Sequence, residues 1–239
     1  MIKRIRFAAR RDNVAPDAFI DALCDALAKA ARAGKNAQPV RTTLCVTLPD
    51  VEGCDARHDA ITLEWFDGAA HLERFDRWRE GDDGADYERR IDHLLSPSAS
   101  ALVVAEEHVM RGADWLEERW REGGPRFKHM AVALRAEDLT QAEFSDLWVS
   151  RAGQVRASGA ATATVIPDVA RGLAYAQNHP TARAHGDWPY DAVNEVWFDD
   201  LEALAARVQF FAETLGGQTE DDLVRENWFV VAREEVITA

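Results

Sequence analysis

Residues 58–67, HDAITLEWFD, return at 190–199 as YDAVNEVWFD, with Asp59, Ala60, Trp65, Phe66 and Asp67 falling on Asp191, Ala192, Trp197, Phe198 and Asp199. No other feature restricts the fold as much, because a long-period repeat means one supersecondary unit used twice. The flanks repeat in the same order. IKRIRFAAR (2–10) aligns with FKHMAVALR (127–135), Phe19 and Asp21 fall on Phe144 and Asp146, and Pro49 falls on Pro180. ALVVAEEHVM (101–110) aligns with WFVVAREEVI (228–237), matching Glu107 to Glu234 and Val109 to Val236.

The blocks have readable periods. The apolar, β-branched runs predict strands at 2–10, 40–48, 60–66 and 101–110, and again at 127–135, 172–179, 192–198 and 228–237. Between the first two strands, Pro16 opens a helix with Phe19, Ile20, Leu23, Leu27 and Ala30 on one face and Gly34 as its stop. A second helix follows each WFD, at 68–78 and at 200–217, the latter stopped by Gly216 and Gly217. Segments 79–100 and 181–189 read as polar insertions in loops. The order β-α-β-β-α-β in each copy is the ferredoxin-like unit, with helices on one face of a four-stranded antiparallel sheet. Both faces of each sheet carry apolar residues, so two such sheets in one chain are expected to cover each other. The expected class is α+β: two ferredoxin-like units, 1–112 and 125–239, joined by a linker helix at 113–124 anchored by Trp115 and Trp120, and fused as an intramolecular dimeric α/β barrel.

Charge narrows the partners. With 28 basic and 42 acidic residues the formal charge is −14, so nucleic acid is not an expected partner. No apolar run approaches the roughly 18 to 20 residues of a membrane span, and the basic N-terminus lacks the apolar stretch of a secretory signal; a cytoplasmic location is expected. Cys24, Cys45 and Cys54 show neither disulfide nor zinc spacing, and seven histidines form no paired ligand motif, so no metal is expected. Nucleotide-loop and serine-hydrolase motifs are absent as well, and no cofactor is expected.

Individual residues offer chemistry beside plainer roles. His179 titrates near neutrality and sits where a strand meets its loop, where it could also simply cap a turn. Asp191, like Asp59, precedes a strand and could be a general base or bond the adjacent backbone. Tyr190 and His58 hold equivalent positions and could pass a proton. Glu195 shares a strand face with Val193 and Trp197; burial would raise its pKa and suit it to acid-base work, unless an ion pair, with Arg4 or Arg6, claims it. Trp65, Trp197, Trp148 and Tyr175 could line an aromatic pocket or belong to the core.

The helix start Ala15-Pro16-Asp17-Ala18-Phe19, the YAQNH at 175–179 and the two WFD phrases together resemble the EthD family of dimeric α/β-barrel proteins. The resemblance covers both halves and is fuller in the second, through Gln177, Asn178, His179, Asp191, Glu195, Trp197, Phe198 and Asp199. It implies a barrel with a pocket for a small, fairly hydrophobic molecule, aromatic, polyketide-like or steroid-like, in a catabolic or biosynthetic setting. Relatives on this scaffold include cofactor-free monooxygenases, cyclases and dehydratases. The resemblance therefore points to His179, Tyr190, Asp191 and Glu195 as catalytic candidates and to Trp148, Tyr175, Asn178, Trp197 and Trp65 as substrate-contacting ones. The family's tryptophan-x-x-x-histidine is broken here, since Trp148 is followed by Ala152, and the first copy has Leu23 in place of the tryptophan. Two readings stay open: an acid-base enzyme, or a non-catalytic carrier or accessory protein. Further homodimerisation is also open.

Overall fold

The computed structural model describes residues 1–34, 36–156, 160–183, 185–215 and 222–238. In chain order the elements are β1 (Ile2–Ala8), α1 (Pro16–Ala30), β2 (Arg41–Thr47), β3 (Ala60–Phe66), α2 (Ala69–Glu80), α3 (Asp82–Leu94), β4 (Ala101–Arg111), α4 (Ala113–Glu122), β5 (Arg126–Arg135), α5 (Gln141–Ser150), β6 (Gln154–Val155), β7 (Thr164–Val165), α6 (Asp168–Arg171), β8 (Ala174–Pro180), β9 (Ala192–Phe198), α7 (Leu201–Leu215) and β10 (Val224–Thr238). The expected strands all form, with shifts of a few residues at some ends. Gly216 and Gly217, expected to stop α7, lie outside the described residues.

Eight strands close into an antiparallel barrel in the order β1-β3-β2-β10-β5-β9-β8-β4, with β4 pairing back onto β1. The chain is thus α+β with a closed antiparallel barrel. Closure leaves none of these eight strands with an open edge. Strands from the two halves of the sequence meet at β2–β10 and β4–β8.

Alternation along each strand sorts side chains into two populations. Ile5, Phe7, Leu63, Trp65 and Val103 join Met130, Val132, Val193, Trp197 and Val230 in one buried cluster inside the barrel. The opposite faces lie under helices. Around β1 and β3 this layer is solid, with Phe19, Leu23 and Leu27 of α1 packed with Phe75, Tyr87 and Ile91. The helix α4, expected as a linker, also stoppers the barrel: Leu116 and Trp120 enter the interior cluster, and Trp120 lies 5.5 Å from Trp65 and 6.4 Å from Trp197 between ring centroids.

One sequence expectation fails. Segment 79–100 is not a plain loop, because it contains α3, whose Tyr87 and Ile91 are buried at helical spacing. Its dense charges, DDGADYERRIDH, hide a narrow apolar stripe that only packing against α1 and α2 makes decisive.

Candidate functional site

Two different environments compete for the name of a site. The first is a buried ionic network inside the barrel. Lys3 Nζ lies 2.5 Å from carboxylate oxygens of both Glu107 and Glu195, and Lys128 Nζ lies 2.7 Å from Glu195 and also pairs with Glu234. Arg119 of α4 reaches Glu234 at 3.4 Å. The indole N–H groups of Trp65 and Trp197 donate to Glu107 and Glu234 at 2.9 and 3.1 Å, while the two ammonium groups sit 4.4 and 4.5 Å from the centres of those same rings. Asn178 Nδ2 donates to Glu195 at 2.9 Å. Lys3, Lys128, Glu195 and Glu234 have no exposed surface.

This network changes the reading of four candidates. Glu195 is not primed as a neutral acid: burial alone would raise its pKa, and is the largest single influence, but Lys128 and Lys3 outweigh it and hold the carboxyl at about 2. Its partners are those lysines rather than Arg4 or Arg6. Strand alternation turns Arg4 and Arg6 to the barrel's outside, where Arg4 bonds Glu64 at 2.6 Å. Trp65, Trp197 and Asn178 likewise serve the interior network, and none of them lines the cavity described below.

The expected cluster of His179, Tyr190 and Asp191 does not assemble. Tyr190 faces the barrel mouth, packed edge-on against Phe7 and Trp228, with its hydroxyl 3.3 Å from His58 Nε2. Asp191 accepts from the Arg135 backbone N–H at 2.9 Å and pairs with the Arg135 guanidinium. His179 shares the outer strand face with Tyr175 and Gln177; its Nε2 meets Gln177 Oε1 at 3.1 Å and its ring stands edge-on to His108. The three candidates point to three places: His179 lies on the outer face of β8, while Tyr190 turns to the barrel mouth and Asp191 to Arg135 just before β9.

Buried histidines set an acid limit. His179 is pushed to about 4 by burial and then by His108, His58 to about 4 by burial and then by Arg57, and His129 well below its ordinary value by burial and then by Arg207. Each stays neutral in the fold, while the unfolded chain takes up a proton below about pH 6.5. Their stabilisation is complete above that pH, and the part from His179 and His58 is lost as pH falls through about 4; Glu195 adds a further loss between about 4.5 and 2. The melting midpoint should therefore fall steadily from pH 7 to pH 4, with a shallower fall in His179→Gln. A flat profile over that range would contradict neutral burial.

The second environment is a cavity of about 410 Å³ outside the barrel, between the outer faces of β5, β8, β9 and β10 and a roof made by α5, residues 151–156, Val165, Ile166 and α7. A difference between aligned strands makes room for it: Ala131 of β5 occupies the position that Arg6 fills in β1. Trp148 on α5 donates its indole N–H to Asn194 Oδ1 at 3.0 Å, fixing one wall. The α5 start is set by a capping box between Thr140 and Glu143. Tyr175 and Gln177 form part of the floor, joined by a 2.7 Å bond from Gln177 Nε2 to the Tyr175 hydroxyl. Phe211 and Phe229 close the far side, their ring centroids 5.1 Å apart. Gly172, at φ +70°, lets the turn after α6 lie against β9, where a Cβ would come within 2.6 Å of the Trp197 carbonyl oxygen.

Of the nine candidate residues, Trp148 and Tyr175 line this cavity. Sequence reasoning missed Asn194, Arg111 and Arg207, as well as the roof residues 151–156, Val165 and Ile166. Arg207 carried a signal: it stands on the apolar stripe of α7 with Leu204, Val208 and Phe211. Among the described residues, the lining contains no Asp, Glu, His, Cys or Lys. Among the described residues no three His, Cys, Asp or Glu side chains gather as a metal site, and no helix is long and apolar enough to cross a membrane.

Fold and site together define a class: a closed α+β barrel, consistent with the dimeric α/β-barrel fold, with a ligand-sized cavity under the helices of its second half. No family model and no curated protein sequence matches the chain. Similar solved structures include a provisionally assigned monooxygenase from Lactobacillus acidophilus, at 12% identity over 100% of this chain and 97% of that one, TM-score 0.45. A second provisionally assigned monooxygenase, from Fusobacterium nucleatum, matches at 9% identity over 99% and 92%, TM-score 0.44. A variant of chlorite dismutase from Candidatus Nitrospira defluvii matches at 9% identity over 99% and 91%, TM-score 0.46.

Proposed function

We propose that this chain is a small-molecule-binding protein of EthD-like type, built from two fused βαββαβ units, with its ligand held under the helices of the second unit. The cavity carries the reading. Its volume falls within the range of ordinary ligand sites, and its walls combine aromatic and aliphatic surface with a few polar groups. The fused-unit reading is supported by strand order, β4-β1-β3-β2 in one half and β8-β9-β5-β10 in the other. It is supported again by the interior, where Lys3, Trp65 and Glu107 make the same contacts as their sequence-aligned counterparts Lys128, Trp197 and Glu234.

Binding is favoured over acid-base catalysis by the chemistry of the lining. Apart from arginines, Tyr175 is the one titratable group among its described residues, and burial holds that phenol above its ordinary pKa. Trp148 and Tyr175 are the sequence candidates assigned here to ligand contact. The alternative of a carrier or accessory protein is thus the stronger of the two readings. A melting-shift screen of aromatic, polyketide-like and steroid compounds tests it. A binder at a hundred times its Kd stabilises by about 2.7 kcal/mol, or roughly 5 to 10 °C in a chain of this size. Ala131→Phe, which fills the cavity, should abolish the shift. A compound that raises wild type and Ala131→Phe equally would place the site elsewhere.

A further inference from the structure

The described residues include five buried cationic side chains, and four of them face carboxylates: Lys3 with Glu107 and Glu195, Arg4 with Glu64, Arg119 with Glu234, and Lys128 with Glu195 and Glu234. Arg207 is the fifth, 6% exposed, and it lines the cavity. Its Nε donates to His129 Nδ1 at 3.1 Å, its Nη1 donates to the Ala170 carbonyl at 2.9 Å, and its guanidinium lies 4.6 Å from the Phe211 ring centre. Among the described residues no carboxylate lies within ion-pair distance of it. His129 cannot supply the missing charge, because a ring nitrogen that accepts from Arg207 belongs to a neutral imidazole.

The rest of the wall repeats the imbalance. Among the described residues, five arginines and no Asp or Glu line the cavity, in a chain of net charge −14. Arg151 and Arg156 share Asp222, and Arg171 pairs with Asp168. Arg111 is spent on the carbonyl oxygens of Arg171, Gly172 and Leu173, so it fixes the turn beside the cavity and keeps its charge without a paired carboxylate. A buried cation whose charge is left unbalanced is costly, and a site that keeps one is complementary to an anion that arrives with the ligand.

Building on the small-molecule reading, we propose that the ligand is an organic carboxylate: its acid group is held by Arg207 with help from the field of Arg111, and its apolar body lies against Trp148, Ala131, Val196 and Phe229. One uncompensated, deeply buried guanidinium matches one negative charge, and the otherwise apolar lining matches an acid with a hydrocarbon or aryl body. Arginine suits the task because its planar fork can bond both carboxylate oxygens.

Calorimetric titration of the full chain with decanoate and 1-naphthoate, each against its neutral alcohol, decides the matter. In wild type each acid should bind at least about ten-fold more tightly than its alcohol, the size of one charge-assisted hydrogen bond. Arg207→Gln should bring the acid down to the alcohol's affinity while the alcohol changes little, and Arg207→Lys should retain part of the preference. Arg111→Gln provides a second variant if Arg207→Gln melts too low to titrate, and it should reduce the preference without removing it. Equal binding of acid and alcohol by wild type, or a full preference surviving in Arg207→Gln, would overturn the carboxylate assignment and leave the cavity reading standing. Binding of neither acids nor alcohols would overturn both.

Discussion

Lys128→Met should destabilise the protein by about 3–5 kcal/mol, the range for removing one partner of a buried ion pair. The ammonium has no exposed surface and serves Glu195, Glu234 and the Trp197 ring together. Methionine fills similar volume but leaves Glu234 with Arg119 at 3.4 Å as its remaining cationic partner, in an interior that water does not reach. In a chain of this length that loss corresponds to a fall of roughly 10 °C in melting midpoint. The matched control is Lys29→Met. Lys29 pairs with Asp86 at the surface, both about 40% exposed, and its loss should leave the melting midpoint nearly unchanged. Equal effects of the two substitutions in urea titrations would show that the interior network does not hold the barrel together.

Residues 1–112 expressed alone should not give a cooperatively melting monomer. Without the second half, β2 loses β10 and β4 loses β8, leaving open edges, and Ile5, Phe7, Leu63, Trp65 and Val103 lose their cover. Lys3 would also lose Glu195. Soluble aggregate, or a species lacking a sharp transition, is the expected result. A soluble monomer with a cooperative transition would contradict the view that the two halves make one interior.

The strands were readable because each is a short apolar run and because similar blocks recur in the sequence, so one block checks the other. The linker helix was readable from its tryptophans, though not its work as a stopper, which depends on where β4 releases the chain. What stayed hidden was which face of each strand looks inward, since both faces carry apolar groups. Lys3 and Lys128 look like solvent-facing residues in isolation. Their alternation with Ile5 and Phe7, and with Met130 and Val132, was the available signal that both are interior. The cavity was less legible still. Its roof residues 151–156, Val165 and Ile166 have no period to read, and its volume arises from an alanine where the aligned strand has an arginine. Glu195 shows the limit of reasoning from burial alone: desolvation was foreseen, but two lysines reverse its effect.

A small molecule held in the cavity beneath the second half's helices should order the elements around it. Hydrogen-exchange measurements with and without the tightest binder from the screen test it most directly, because they report where the ligand orders the backbone. Added protection should appear in α5, in residues 151–156 and 160–171 and in α7, and should vanish in Ala131→Phe. Protection confined to residues 1–112, or to the barrel mouth around His58 and Tyr190, would contradict it.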